Sequence, residues 1–383
     1  MQRFLLLFYK FLFIFINLLF LYRYSIRQDY IPYYCLLFVY ILFSTLFLWK
    51  NIFDNSIFSK IKPKTLYLVF STTVIIIVFL IVHNVDGYTL NVDRWSAMDV
   101  GIKSILNGEY PYIAKDHLNQ YTSNLPSLFI IGLPFYLLGN VAYLQVFSCA
   151  ILFYTIQHYF ETKKSLYFIL LLIISPAFWW EIFCLSDLMS NVFFILCFLI
   201  YYNHNFSNDK FKKPILLGSI LAFFILTRGI VLVPFVLFFF SDFWKTTLIT
   251  KTKLIISGLV VFCLLIFMAI HNCENLETLI EYNPLWLQTI LLPKYIVIFC
   301  LLLPFFISYK IKNFYDDFLK ATIFLMILPV VIAFLIKIFQ DGLYIILTKK
   351  FFDLSYLSMV FPFMILLFIN PKKIKIKKQI VQN

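Results

Sequence analysis

Charge is what this chain has least of. Only 13% of its 383 residues are Asp, Glu, Lys or Arg, against about one-quarter in an ordinary soluble domain. That leaves no room for an independent soluble unit. The seven cysteines lie mostly inside apolar segments and form no CxxC pair, which argues against a disulfide framework and a zinc knuckle. Glycines number nine, few for a transporter built on glycine-interrupted helices and small-residue packing faces. The composition therefore leans towards a static scaffold. Acidic residues are outnumbered 19 to 32 by Lys and Arg, a net charge of +13. The basic residues sit in short clusters between apolar runs, the pattern of cytoplasmic membrane loops. Lipid headgroups, not nucleic acid, are the partner this charge implies.

What is present is hydrocarbon: 62% of residues are hydrophobic, with 48 Phe and 25 Tyr. Runs long enough to cross ~30 Å of bilayer recur along the chain and predict a polytopic, all-α transmembrane protein. Twelve crossings are expected, at 4–21, 31–49, 65–84, 141–160, 165–180, 187–202, 214–226, 229–241, 254–271, 287–309, 321–340 and 353–370. The first has no small-residue cleavage site after it and reads as a retained signal anchor. With the N-terminus inside, the basic clusters at 50–64, 163–164, 210–213, 245–253, 310–320 and 372–378, together with Arg3, put 21 basic residues inside against about 10 outside. This threading requires the apolar stretch 214–240 to turn at Thr227-Arg228-Gly229, which sets Arg228 at the outer face. The whole chain, 1–383, then forms one transmembrane domain. It comprises an N-terminal hairpin (1–64), a large extracytoplasmic loop (85–140), the remaining helices (141–370) and a basic cytoplasmic tail (371–383).

The polar residues concentrate in that loop. Trp95, Met98, Ile102 and Leu106 share one helical face, and Ser96, Asp99, Lys103 and Asn107 another. The spacing predicts an amphipathic helix lying along the membrane surface with its apolar side down and stopping at Asn107-Gly108. Asp99 and Lys103 are spaced as an i,i+4 pair. The stretch 126–139 is too short to span and reads as a second surface-lying or half-inserted element.

The string Asp93-Arg94-Trp95-Ser96-Ala97-Met98, followed by Ile105-Leu106-Asn107-Gly108-Glu109-Tyr110-Pro111-Tyr112, resembles the first outer loop of GT-C membrane glycosyltransferases. A proline-led apolar stretch comes next, at Asn124-Leu125-Pro126 and Leu133-Pro134-Phe135. Leu226-Thr227-Arg228-Gly229 then resembles the turn between two short helices in the same superfamily. The order and rough spacing agree over about 85–240. In two respects the chain departs from the pattern: the loop follows the third helix instead of the first, and Arg94 stands where a second acid would follow Asp93.

The resemblance implies transfer of a sugar from a polyprenyl-phosphate donor to a cell-envelope glycan or lipid acceptor. The reaction would take place on the outer face of a bacterial cytoplasmic membrane, with both chain termini inside and no cofactor. A carboxylate would take the acceptor proton and a fixed cation would stabilise the leaving phosphate. Asp93 is the candidate base and Arg228 the candidate phosphate partner. Arg94, Tyr112, Glu181 and Asp187 are candidate substrate contacts. Four of them have a plainer alternative: a helix N-cap for Asp93, a snorkelling topology anchor for Arg228, solvated loop acids for Glu181 and Asp187. Asp116-His117 is a poor metal ligand set by itself. Glu274, Glu277 and Glu281 are placed to meet an acceptor, and Lys349 and Lys350 to meet lipid phosphate. Two other functions fit a chain of this kind. An O-antigen-polymerase-like enzyme would carry arginine-rich large outer loops, and a lipid-linked-glycan flippase would need a polar midplane lining that Lys10, Asn17 and Lys337 do not supply.

Overall fold

The computed structural model describes residues 2–49, 62–348 and 352–369. Lys50, Lys60, Lys349, Lys350 and the basic tail lie outside the described residues. An apolar run in hydrocarbon must satisfy its own backbone hydrogen bonds, and helices do so locally. The described residues are accordingly all-α, with no sheet and one isolated bridge between Lys115 and Tyr121. Proline, which fits the first helical position because its missing N–H is not needed there, opens several of the helices.

The N-terminal hairpin is α1 (Gln2–Ser25) and α2 (Tyr33–Trp49), followed by α3 (Pro63–Asn84). The polar loop contains α4 (Arg94–Leu106) and α5 (Pro126–Leu137). Then come α6 (Tyr143–Tyr159), α7 (Thr162–Ile173), α8 (Pro176–Phe183) and α9 (Leu188–Asn205). The predicted break after 226 is present, between α10 (Pro214–Ile225) and α11 (Leu232–Phe243). The remainder is α12 (Leu248–Ile270), α13 (Leu276–Glu281), α14 (Pro284–Thr289), α15 (Lys294–Ser308), α16 (Leu319–Asp341), α17 (Leu343–Thr348), α18 (Ser355–Ser358) and α19 (Phe361–Phe368).

Among the described residues, four helices are long and apolar enough to cross a membrane, or six spans if each of two bent pairs counts as one. This marks an integral membrane protein. One bent pair is α7 and α8, which turn by 67° inside what the sequence presents as the single run 165–180. The turn falls at Pro176, which cannot continue α7 and opens α8 with Ser175 as its N-cap, and Asn17 of α1 braces it. Asn17 is fully buried, and its Oδ1 accepts from Ser175 Oγ at 2.7 Å and from Ala177 N–H at 3.2 Å. A side chain from another helix thus supplies the acceptor that the broken backbone lacks. Asn17→Leu is expected to destabilise the protein by about 1–3 kcal/mol, the cost of stranding buried donors. Thermal unfolding in detergent reads this, and an unchanged melting temperature would remove Asn17 from that role.

The core runs through α9 and α19. Phe361, Phe363, Met364, Ile365 and Leu366 are all fully buried, so α19 is covered on every side, as an all-round apolar helix should be. By contrast α12 is mostly exposed. It touches α10 through a glycine crossing in which a Cβ on Gly218 would stand 2.2 Å from Leu254 O, the close backbone approach that small residues permit.

The surface helix α4 differs from its expected setting. Its apolar residues Met98 and Ile102 are each 2% exposed, and they face α5, not lipid. A Cβ on Gly132 would meet Met98 Sδ at 2.6 Å, and one on Gly101 would meet Phe129. The opposite face is covered at its start too, since Ser96 is fully buried. The helix is clamped between α5 and the bundle, which fixes the position of its first residues.

Candidate functional site

The first turn of α4 carries Arg94 into the bundle, where it is 7% exposed. Its guanidinium is surrounded by groups from two distant segments, 181–186 and 353–356. Nη1 donates to Ser186 Oγ at 2.9 Å and lies 3.9 Å from Glu181 Oε1. Nη2 donates to the Asp353 carboxylate and to Ser355 Oγ. The Tyr356 ring lies beneath it at 5.1 Å. Ser355 in turn donates both its N–H and its hydroxyl to Asp353 Oδ1, and Ser358 Oγ reaches Glu181 Oε1 at 3.4 Å. Burial works against the charge on Arg94, but Asp353 and Glu181 more than offset it and hold its pKa above the ordinary value. Burial would likewise raise the Asp353 carboxyl. Arg94 and the Ser355 hydroxyl and N–H reverse that and leave it below the usual carboxylate range.

A second pair lies at the break between α10 and α11. Arg228, 7% exposed, donates from Nη2 to Asp187 Oδ2 at 2.5 Å and to Asn124 Oδ1 at 3.3 Å. Asn191 Nδ2 donates to Thr227 Oγ1 at 3.0 Å. Gln288 in α14 closes the turn from above: its Oε1 accepts from Gly229 N–H at 3.0 Å and its Nε2 donates to Ser123 O at 2.7 Å. The two arginine clusters adjoin. A void of about 10 Å³, room for about one water, is lined by Arg94, Gln145, Leu185 and Asp187 among others.

The link between them is the turn from α8 to α9. Gln145 Nε2 donates to both Glu181 O and Ser186 O, each at 2.7 Å. Leu185 sits at φ +49°, a left-handed conformation unusual for a bulky side chain. The surrounding bonds hold that turn so that Glu181 points to Arg94 and Asp187 to Arg228.

Asp93 stands immediately before α4, at its N-cap position, but makes no side-chain cap bond. The plain capping explanation is therefore not what places it there. It is half-buried, and burial raises its pKa; Arg94 opposes the shift, while the Asp116 and Asp353 carboxylates add to it. Tyr112 is apart from these groups: it is 2% exposed and packs with Tyr110 and Phe129 in the apolar cluster under α4. Asp99 and Lys103 form no ion pair within 4 Å. Asp116 Oδ1 accepts from the N–H groups of Leu118 and Gln120, and His117 bridges Ser96 Oγ at 2.5 Å and Leu90 O at 2.7 Å. Asp116 thus holds the turn at 116–120, and His117 ties the loop to α4. No group of three or more metal-ligating side chains occurs among the described residues.

Of the residues singled out from the sequence, Asp93, Arg94, Glu181, Asp187 and Arg228 come together. Asp353, Ser355, Tyr356 and Ser358 join them from the C-terminal segment, and Asn124, Gln145, Asn191 and Gln288 from elsewhere. No known protein family, no curated protein and no solved structure matches this chain.

Proposed function

We propose that the protein is a membrane-embedded glycosyltransferase of GT-C type, moving a sugar from a polyprenyl-phosphate donor to a glycan or lipid acceptor. In this reading the twelve-segment threading holds, the clustered polar groups face the extracytoplasmic side, and Asp93 is the base. One observation carries it. Two arginines and four carboxyl groups, Asp93, Glu181, Asp187 and Asp353, gather from widely separated segments beside a short helix, in a chain otherwise made for hydrocarbon. Burying such groups is costly, and in a membrane protein a concentration of them marks function by default. Asp93 is the member whose carboxylate meets no hydrogen-bond donor of another residue among the described residues. Its raised pKa makes it a stronger proton acceptor at neutral pH than an ordinary carboxylate.

The test is mass analysis of envelope glycans from cells lacking the gene, complemented with wild type or with Asp93→Asn at equal expression. A discrete sugar should be missing, restored by wild type and not by the variant. Rescue by Asp93→Asn would remove the base assignment, and loss of long chains down to one repeat would replace transfer with polymerisation. With the purified enzyme, the acid limb of the pH–rate profile should lie above the ordinary carboxylate range. Asp93 must be deprotonated to act, so activity is lost as pH falls through its raised pKa.

A further inference from the structure

The connection from α12 to α15 is unlike the rest of the chain: no residue of α13 or α14 is buried. The pair runs at 65° to α15, so where α15 crosses the bilayer they lie across its axis. Helical spacing divides α13 into three faces. Leu279 packs inward against the apolar cluster under α4. Leu276 and Ile280, one turn apart, are 74% and 67% exposed. Glu277 and Glu281, also one turn apart, are exposed beside them. In α14, Leu285 and Trp286 are exposed, while Gln288 reaches inward to Gly229 N–H and Ser123 O. Tyr282, between the two helices, packs edge-on against Tyr121. The pair thus rests on the turn beside Arg228 by one side and turns an apolar side outward.

We propose that α13 and α14 lie in the interfacial layer of the bilayer, apolar residues against acyl chains and acids towards water, as a lipid-anchored lid over the Arg228 turn with Gln288 as its latch. The exposed apolar surface does not stop at the ends of the pair. It continues into Phe267 of α12, 64% exposed, and Tyr295 of α15, 72% exposed, on helices apolar enough to face hydrocarbon. At the junction with α15 the Lys294 ammonium lies over the Trp286 ring at 4.1 Å, and Trp and Lys are the residues that anchor a segment at headgroup level. An apolar stripe beside a charged one is also what seats a helix in the interface plane. The alternative occupant of such a face is a second copy of the chain. Residues 271–293 carry three acids, Glu274, Glu277 and Glu281, and no Lys or Arg, so a two-fold contact here would set like charges against each other. Because Gln288 joins the pair to the backbone at 123 and 229, seating in lipid fixes the turn beside Arg228 whatever reaction the site performs.

The experiment uses the full-length protein in phosphatidylcholine nanodiscs, with the photoreactive residue p-benzoylphenylalanine in place of Ile280, of Ile290 or, as a control in the polar loop, of Gln120. Irradiation should attach phospholipid at 280 and 290 and not at 120, read by intact mass. Amide hydrogen exchange then reads the latch. Gln288→Ala should speed exchange at Gly229 about tenfold, the scale of one lost hydrogen bond. The double replacement Ile280→Asp with Ile290→Asp, which keeps Gln288, should speed it too at an unchanged melting temperature. Cross-linking of 280 and 290 to a second copy of the chain, or no phospholipid adduct at either, would overturn the seating in lipid. Wild-type exchange at Gly229 in Gln288→Ala would remove the latch, and wild-type exchange in the double variant would show that the latch holds without lipid. None of these outcomes depends on the glycan profile of the Asp93→Asn strain, on which the transferase reading is decided.

Discussion

Arg94→Leu is expected to cost about 3–5 kcal/mol of stability, the range for removing one member of a buried ion cluster. The change strands Asp353 and Glu181 without a cation and leaves Ser186 and Ser355 each short of a partner. Asp353→Asn should also destabilise, because the carboxylate accepts from Arg94 on Oδ2 and from Ser355 on Oδ1, and the amide keeps only one of those acceptors. The same pair gives a pH dependence whose sign is fixed. The folded pKa of Asp353 lies below its unfolded value, so its contribution is present above the ordinary carboxylate range and is lost as pH falls through the folded value. Thermal unfolding of wild type in detergent should therefore show a decline at acid pH, and Asp353→Asn should flatten it. An Arg94→Leu protein as stable as wild type, or an acid decline untouched by Asp353→Asn, would mean that the cluster contributes nothing to holding α4 in place.

Asp353 also shows where sequence reading stopped. The break at Arg228 was legible because a single charged residue interrupts an apolar run, and α4 because its apolar and polar faces alternate at helical spacing. The clustering of Asp93, Arg94, Glu181, Asp187 and Arg228 followed from their placement at one end of their helices. Asp353 carries the same mark, as the first residue of the crossing 353–370 at the outer face, but it lies 259 residues from Arg94, and only the packing of α19 in the centre of the bundle shows which outer-face residue it meets. Asp353-Leu354-Ser355 could have been read as a local turn, since an aspartate accepting from the residue two further on is a common device, but not as one facing an arginine. Tyr112 was misleading in the other direction, because a motif tyrosine in a polar loop reads as a substrate contact while here its ring is packing. The turn within 165–180 is marked in the sequence by Ser175-Pro176, and only its brace, Asn17, lies in another helix. Even the surface helix was legible only in its periodicity. Which neighbour its apolar face meets, α5 or lipid, depends on Gly101 and Gly132 admitting a close approach, and glycines have no periodicity to read.

The Arg228–Asp187 pair permits a separation of stability from function that the Arg94 cluster, with its many partners, does not. Each single replacement, Arg228→Met or Asp187→Leu, leaves one buried charge uncompensated and is expected to cost about 3–5 kcal/mol. Replacing both removes the charges together, and the double variant should be more stable than either single one, with a coupling energy of about 0.5–3 kcal/mol in the double-mutant cycle. Chemical or thermal unfolding in detergent supplies all four corners. Additive losses would show that the 2.5 Å contact is not an interaction the fold depends on. The double variant is then the useful protein: folded, with α10 and α11 still joined, but without the two charged side chains that the proposed function places among the substrate contacts. If Arg228 and Asp187 serve only the fold, this protein should still restore the missing envelope sugar. If they serve the substrate, it should accumulate to wild-type levels in the membrane and restore nothing, and that loss could not be attributed to unfolding.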